Sequence, residues 1–384
     1  MHRLRKRLYR VGLLVQCIGT FLVHGRAQKA PHSIKKIVVV LTGKLGDVVC
    51  GTPVLRAIRQ AMPDIHIVVA GSSKIQKPVL ENSGLVDEYV DIQNEDGIEK
   101  LRKVNADVAL ITGPSFVPAA MAFVAGIPFV VSARVVDGFS PSETKPYQLI
   151  KKFIVTFPYD INGYAPSERL KVLESIGIFS SDTKKQLGYS SVAFNNVKKF
   201  FIDNHINPDL DFITVISPSA GNKIKEWPSD RFAKIAEHLV TKHNARVVVI
   251  GGPNDRDLVN QTISQIKEGI SVIPVTHFSI DELKAFVSMV HLFISVDTGP
   301  IYIAEAFNVP TVDIVGPVDE NVQPPRGFIH RNVVPQRNKA QLSILNARTY
   351  DIAEAERQTK SISVEDVAKV VDQLILDLGT KTMI

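Results

Sequence analysis

Twice along this chain a run of β-branched residues gives way to a glycine-bearing turn and then to apolar positions at helical spacing. The first instance is KKIVVVLTGKLGDVVCGTPVLRAIRQAMPDIHIVVAG. Residues 37–41 read as a strand apolar on both faces, as in a buried parallel sheet. Residues 42–46 form the turn, and Val54, Leu55, Ile58 and Ala61 mark a helix that Pro63 ends. Residues 65–70 supply the next strand. Alternation continues with strands at 86–92 and 108–112, a small-residue helix at 118–125, a short strand at 129–132 and a helix at 169–176. Residues 138–146 and 158–166, rich in proline and turn formers, read as loops.

The pattern restarts at residue 212. A strand at 212–217 leads through PSAGNKIKEWPSDRF into a helix at 230–241, and a strand at 246–250 ends in GGPNDRD. Strands at 272–275 and 292–296, a helix after Ser279, and DTGPIYIAEAFNVPTVDIVGP complete a second doubly wound α/β half. The last helix, 363–378, sets Val364, Val367, Val371, Leu374 and Leu378 in one stripe. It is expected to cross back onto the first half, the alternative being an ordinary closing helix of the second. Residues 348–360 read as charged and solvated.

The net charge of +6 suggests nucleic acid until it is located. Of the 45 Lys and Arg, nine fall in residues 1–36, and the remaining 36 face all 39 Asp and Glu, so the body of the chain stands at −3. A sequence-independent nucleic-acid binder needs its basic groove on the fold itself; no nucleic-acid partner is expected. Cys17 and Cys50 are too few for a disulfide framework and lack metal-ligand spacing, which fits a reducing compartment. In the basic segment, residues 11–23 form an apolar run shorter than the ~20 residues of a spanning helix. It reads as an interfacial helix, with Leu4, Leu8, Val11, Val15, Ile18 and Leu22 down one side, or as a short spanning anchor or an export signal.

Candidate chemistry gathers at the C-ends of strands, where open α/β sheets bind ligands. Asp47 stands at the mouth of the first helix, as an N-cap or facing the crevice. The loop G-K-L-G lacks the third glycine of a dinucleotide fingerprint and no acid ends the second strand, which weighs against a nicotinamide oxidoreductase. In the second half, Lys225 lies beside Trp227, Asp297-Thr298-Gly299 opens a helix whose amides suit a diphosphate, and Asp255 follows a Gly-Gly-Pro turn in reach of ribose hydroxyls.

With GKLGDVVCGTPVLRAIRQAMPD, SPSAGNKIKEWPSDRFAKIAEHL, VVVIGGPNDRD and DTGPIYIAEAFNVPTVDIVGP in this order, the chain resembles glycosyltransferase family 9, the group of lipopolysaccharide heptosyltransferases. The resemblance implies a GT-B fold, two Rossmann-like doubly wound domains facing a central cleft, and an inverting transfer from a nucleotide-diphosphate sugar to a lipid-linked saccharide. It makes Asp47 the general base and Lys225 the group that steadies the leaving diphosphate. Thr298 and Gly299 would offer amides, Asp297 would orient their loop, Asp255 would hold the ribose and Phe278 would border the base. Ala220, Gly221 and Pro300 belong to the same donor-binding loops. Tyr302 stands where the family's D-T-G-x-x-H has histidine; it donates a hydrogen bond but carries no positive charge near neutral pH. A member that binds the donor without turnover is the alternative this leaves.

The expected layout is a membrane-associating segment over 1–33, an acceptor-side domain over 34–185, a nucleotide-sugar domain over 186–345 and a C-terminal helical segment over 346–384. Localisation is expected to be cytoplasmic and peripheral to the inner membrane, with residues 1–36 on an anionic lipid surface. Neither a metal nor another cofactor is implied.

Overall fold

The computed structural model describes residues 2–28, 30–41, 43–94, 96–137, 140–343 and 350–382. The chain divides into two compact units, the first ending at Gln186 and the second beginning at Leu187.

The first unit is built on six parallel strands in the order β3-β2-β1-β4-β5-β6. They are β1 (Lys36–Val40), β2 (His66–Gly71), β3 (Glu88–Asp91), β4 (Val108–Ile111), β5 (Phe129–Val136) and β6 (Val155–Asp160). Burial explains their composition. The central strands read IVVV and VALI and are buried throughout, whereas edge strand β3 reads EYVD and is half-buried. Strand β6 corrects the sequence reading, which took the stretch from residue 158 as a loop. Pro158 pairs opposite Arg134 on an edge strand, where its missing N–H breaks no ladder. The expected helix over 169–176 is also redrawn: an α-helix, Ala165–Leu170, passes into a 3-10 helix, Lys171–Ile176. Thr42 in the first turn, and Gly138 and Phe139 in the proline-bearing loop, lie outside the described residues.

The N-terminal helix, His2–His24, belongs to this unit. Leu13 and Cys17 join its core beneath the small-residue helix Phe116–Val124, and Phe21 stacks on Phe153 with ring centroids 4.4 Å apart. The chain then bridges from Ala27 to Ile154 and from Gln28 to Phe129. Among the described residues, no helix is long and apolar enough to cross a membrane.

The second unit repeats the design with β7 (Ile213–Ser217), β8 (Arg246–Ile250), β9 (Val272–Val275), β10 (Leu292–Val296), β11 (Thr311–Ile314) and β12 (His330–Val333), in the order β12-β11-β10-β7-β8-β9. Edge strand β12 and the helix Ser191–Asp203 escaped the sequence reading. The terminal helix Val364–Thr382 spends its stripe inside this unit: Val367, Val371 and Leu374 are buried with Trp227, Phe232 and Leu239. Residues 348 and 349 lie outside the described residues. The rest of the stretch read as solvated contains a helix, Ile352–Ser361, whose Ala355, Gln358 and Thr359 are buried; Thr359 Oγ donates to the Ile224 carbonyl.

Candidate active site

In the first unit, β1 ends at a carbonyl pair held from the side. Thr112 Oγ donates to Val40 O and Gln76 Nε2 to Leu41 O, which fixes the exit of the strand. The turn that follows enters a short helix, Leu45–Val49, with Asp47 in its first turn. Asp47 is not the N-cap that the sequence allowed: Lys44 holds that position, and Asp47, three residues on, reaches back so that its Oδ2 accepts the Lys44 N–H at 2.9 Å. Arg169 approaches from the other side, its guanidinium 3.1 Å from Asp47 Oδ1 and 2.7 Å from the Asp47 carbonyl. A carboxylate offers about four lone-pair directions, so these two bonds leave room for a further hydroxyl on a side chain that is 22% exposed.

In the second unit a cavity of about 400 Å³ opens at the C-ends of β7, β8, β9 and β10. Strands β7 and β10 are hydrogen-bonded neighbours from which the chain winds in opposite directions, the topological switch point of such a sheet. Ala220 and Gly221 line the cavity from the loop after β7, Asp255 from the loop after β8, Phe278 from the loop after β9, and Thr298 and Pro300 from the loop after β10. Asp255 ends a 3-10 turn and accepts the Gly252 N–H at 2.8 Å. Phe278 is set edge-on against Phe200 and tilted on Phe286. Thr298 caps the helix Gly299–Ala306, which has no acidic residue in its first turn. The opening amides of a helix have no partner inside it and carry the positive end of its dipole, which suits an anion.

Lys225, Asp297, Gly299 and Tyr302 are not among the lining residues. Three of them form a clamp. Lys225 Nζ reaches Asp297 Oδ2 at 2.8 Å and also the Asp297 carbonyl, while the Tyr302 hydroxyl donates to Asp297 Oδ1. Asp297 and Tyr302 are buried, and Trp227, also buried and two residues after Lys225, donates to Ile362 O at 3.0 Å. Asp313 on β11 is fully buried and neither carboxylate oxygen has a hydrogen-bond partner. Burial raises its proton affinity well above the ordinary carboxyl range, and the charge of Asp297 adds to the effect.

Comparison with known proteins fixes the class. The model of "Glycosyltransferase family 9 (heptosyltransferase)" matches residues 98–345. This chain belongs to glycosyltransferase family 9. It is 25% identical over 292 residues to lipopolysaccharide heptosyltransferase 3 of Escherichia coli K12, covering 71% of this chain and 80% of the relative. A family 9 glycosyltransferase of Veillonella parvula superposes with a TM-score of 0.74 at 22% identity, over 91% of this chain and all of that one. The ADP-heptose lipopolysaccharide heptosyltransferase II of E. coli gives 0.69 at 17% identity, over 90% of this chain and 99% of that one. The fold is GT-B, two Rossmann-like units, and the oxidoreductase reading is set aside.

Within this glycosyltransferase the family match spans Lys225, Asp255, Phe278 and the loop from Asp297 to Tyr302, whereas Asp47 lies before it. Two residues near the candidate groups were not singled out from the sequence. Arg169 precedes Val172 and Leu173 by three and four residues, so it shares their core-facing side, and an arginine there signals a buried partner. Glu226 accepts the Ala220 N–H at 3.2 Å; partial burial raises its proton affinity, and nearby Asp255 adds to this. Its place between Lys225 and Trp227 gave no sign that it folds back onto the loop.

Proposed function

We propose that this glycosyltransferase moves a heptose from an ADP-activated donor to a lipid-linked saccharide of the lipopolysaccharide core, with inversion at the anomeric carbon. The observation that carries the reading is the switch-point cavity of the second unit, walled by an unblocked helix start, a carboxylate and an aromatic ring. Those are the three things a nucleoside diphosphate needs: amides for phosphate, an acceptor for ribose hydroxyls and a flat apolar surface for the base. The names of the relatives support the sugar and pathway, and the E. coli heptosyltransferase WaaC, a structure at 15% identity and TM-score 0.62, is described with ADP-2-deoxy-2-fluoro heptose.

In this reading Thr298 and Gly299 offer backbone N–H groups to the diphosphate, Ala220, Gly221 and Pro300 shape the pocket around it, Asp255 takes the ribose and Phe278 borders the adenine. The acceptor oxygen attacks the anomeric carbon while the bond from that carbon to the β-phosphate oxygen breaks. The electron pair leaves with the diphosphate, whose growing charge Lys225 offsets. The hydroxyl proton passes to Asp47. Asp297 acts by fixing Lys225, and Tyr302 by fixing Asp297, so a tyrosine in place of a histidine need not remove a ligand of the donor. The enzyme works at the cytoplasmic face of the inner membrane, where its acceptor is anchored, with residues 1–36 on anionic lipid.

Two measurements test this. ADP should raise the melting temperature more than UDP or GDP at equal concentration, because only a ligand that prefers the folded state stabilises it. Asp47→Ala should lower transfer from ADP-heptose by roughly 10²–10⁴-fold with ADP affinity unchanged. Indifference to every nucleoside diphosphate would remove the donor site; transfer at the parental rate by Asp47→Ala would remove Asp47 from the base role.

A further inference from the structure

The N-terminal helix has two apolar faces, and the fold uses one. Leu13 and Cys17, 2% and 0% exposed, lie against the first unit. Leu8, Val11, Val15, Ile18 and Leu22 recur at steps of three and four, which sets them in a stripe on the far side. They are 62%, 55%, 63%, 41% and 77% exposed. Single exposed apolar residues are ordinary on a protein surface, but a continuous stripe of five marks a surface that meets something. Its chemistry is one-sided: Arg5, Arg7 and Arg10 are exposed on the same helix, and the first acidic residue of the chain is Asp47.

We propose that this stripe docks the first unit on an anionic lipid bilayer, the helix lying in the interface plane with its opposite face seated in the protein. The proposal deepens the membrane placement given above and rests on it. Lipid phosphates meet the arginines while the apolar side chains enter the boundary between headgroups and acyl chains. A second copy of the chain is the poorer occupant. Packed in parallel, stripe against stripe, it would set a second group of arginines against the first, and in either orientation neither helix has a carboxylate to answer them. A spanning arrangement would pull Leu13, Cys17 and Phe21 out of contacts they already make. Because Phe21 stacks on Phe153 and the bridges at Ala27 and Gln28 follow directly, the helix is not a loose tether. The bilayer therefore takes hold of the unit that carries Asp47, the half that handles the membrane-bound acceptor.

The test uses the full chain and vesicles of phosphatidylcholine, with or without phosphatidylglycerol. The protein should sediment with the mixed vesicles, far less with phosphatidylcholine alone, and be released by salt. The doubly substituted Val15→Glu, Leu22→Glu chain changes only exposed positions and should keep the parental melting temperature and ADP affinity. Its bound fraction should fall by about tenfold or more, since two carboxylates enter the apolar face. Equal sedimentation of parent and variant overturns the proposal, as does a parent that stays in the supernatant. A parental dimer in light scattering that the two substitutions dissolve would overturn it in favour of a second copy. No donor or acceptor is present in this assay, so failure here leaves the transferase reading standing, and failure of ADP to bind leaves the lipid result standing.

Discussion

At Gly43 the backbone takes φ +112°, and a Cβ built there would fall 2.2 Å from Asp47 Oδ2. Glycine is thus required twice, by conformation and by the carboxylate that folds back over the turn to reach the Lys44 N–H. Gly43→Ala should push Asp47 off its two partners. The expected result is a loss of transfer approaching that of Asp47→Ala, with stability lower by roughly 1–3 kcal/mol from the strained backbone. ADP affinity, which the proposed donor site places in the second unit, should hold. Kinetics and a thermal melt on one sample check it, and full activity in Gly43→Ala would mean that the Asp47 geometry is not needed. Asp47 stood out as an acid at a helix mouth after a first strand, but a cap is the ordinary explanation of such a residue, and only the family resemblance made it the expected base. Arg169 was not, since its partner lies 122 positions away in sequence. The Tyr302–Asp297–Lys225 clamp was half legible. One motif held Asp297 and Tyr302 and a separate turn held Lys225, but both the cation and the hydroxyl were expected to face phosphate, and nothing in the sequence showed that Lys225 and the buried Tyr302 turn to Asp297.

Among the elements, the pairing of the terminal helix with the helix Ser229–His243 is tied to pH through one carboxylate. Asp372 accepts bonds from His238 Nε2 at 2.8 Å, His243 Nε2 at 2.6 Å and Lys242 Nζ at 2.6 Å. Partial burial works to raise its proton affinity, but these three donors outweigh it and hold the carboxyl well below the usual range. Because the folded value lies under the unfolded one, the stabilisation is complete above about pH 4 and is lost as pH falls through the folded range. Asp372→Asn should cost about 1 kcal/mol near pH 7, a modest figure because Asp372 and its donors are partly solvated. The gap between variant and parent should close on the acid side. Melting curves from neutral to strongly acidic pH measure it, and a gap that widens in acid would show that the carboxylate is not the source.

The element scale is also where the sequence was most readable. Strands β1, β7, β8 and β10 announce themselves because a strand covered on both faces is a nearly continuous apolar run, broken here only by small hydroxyl residues such as Thr214 and Ser295 and by terminal positions. Edge strands lose that requirement. HRNV of β12 carries no period that separates it from loop; VTFPYD of β6 does alternate, with Phe157 and Tyr159 buried on either side of Pro158, but the proline argued for the wrong answer. The helix Ile352–Ser361 was read as solvated because it buries one alanine, Ala355, and two polar residues, Gln358 and Thr359, instead of an apolar stripe.

At the scale of the whole molecule, the same strand order occurs twice, each sheet with its own core. The chemistry divides accordingly, with a carboxylate positioned in the first unit and an anion-ready cavity in the second. The charge divides too, since the basic excess belongs to the first 36 residues and the remainder is slightly acidic.

The doubly apolar N-terminal helix carries a practical consequence for anyone handling the protein. Trimming residues 1–24 looks like a cure for stickiness, because it discards the greasy outer stripe. It would also lay bare the seat beneath, where Ala120, Phe123 and Phe153 now meet Cys17 and Phe21. The shortened chain should therefore melt lower and aggregate sooner on warming than the intact one, whereas glutamates at positions 15 and 22 should improve dispersal without either penalty. Turbidity during a temperature ramp distinguishes the two strategies, and a trimmed chain that outlasts the intact one would show that the seat closes over by itself.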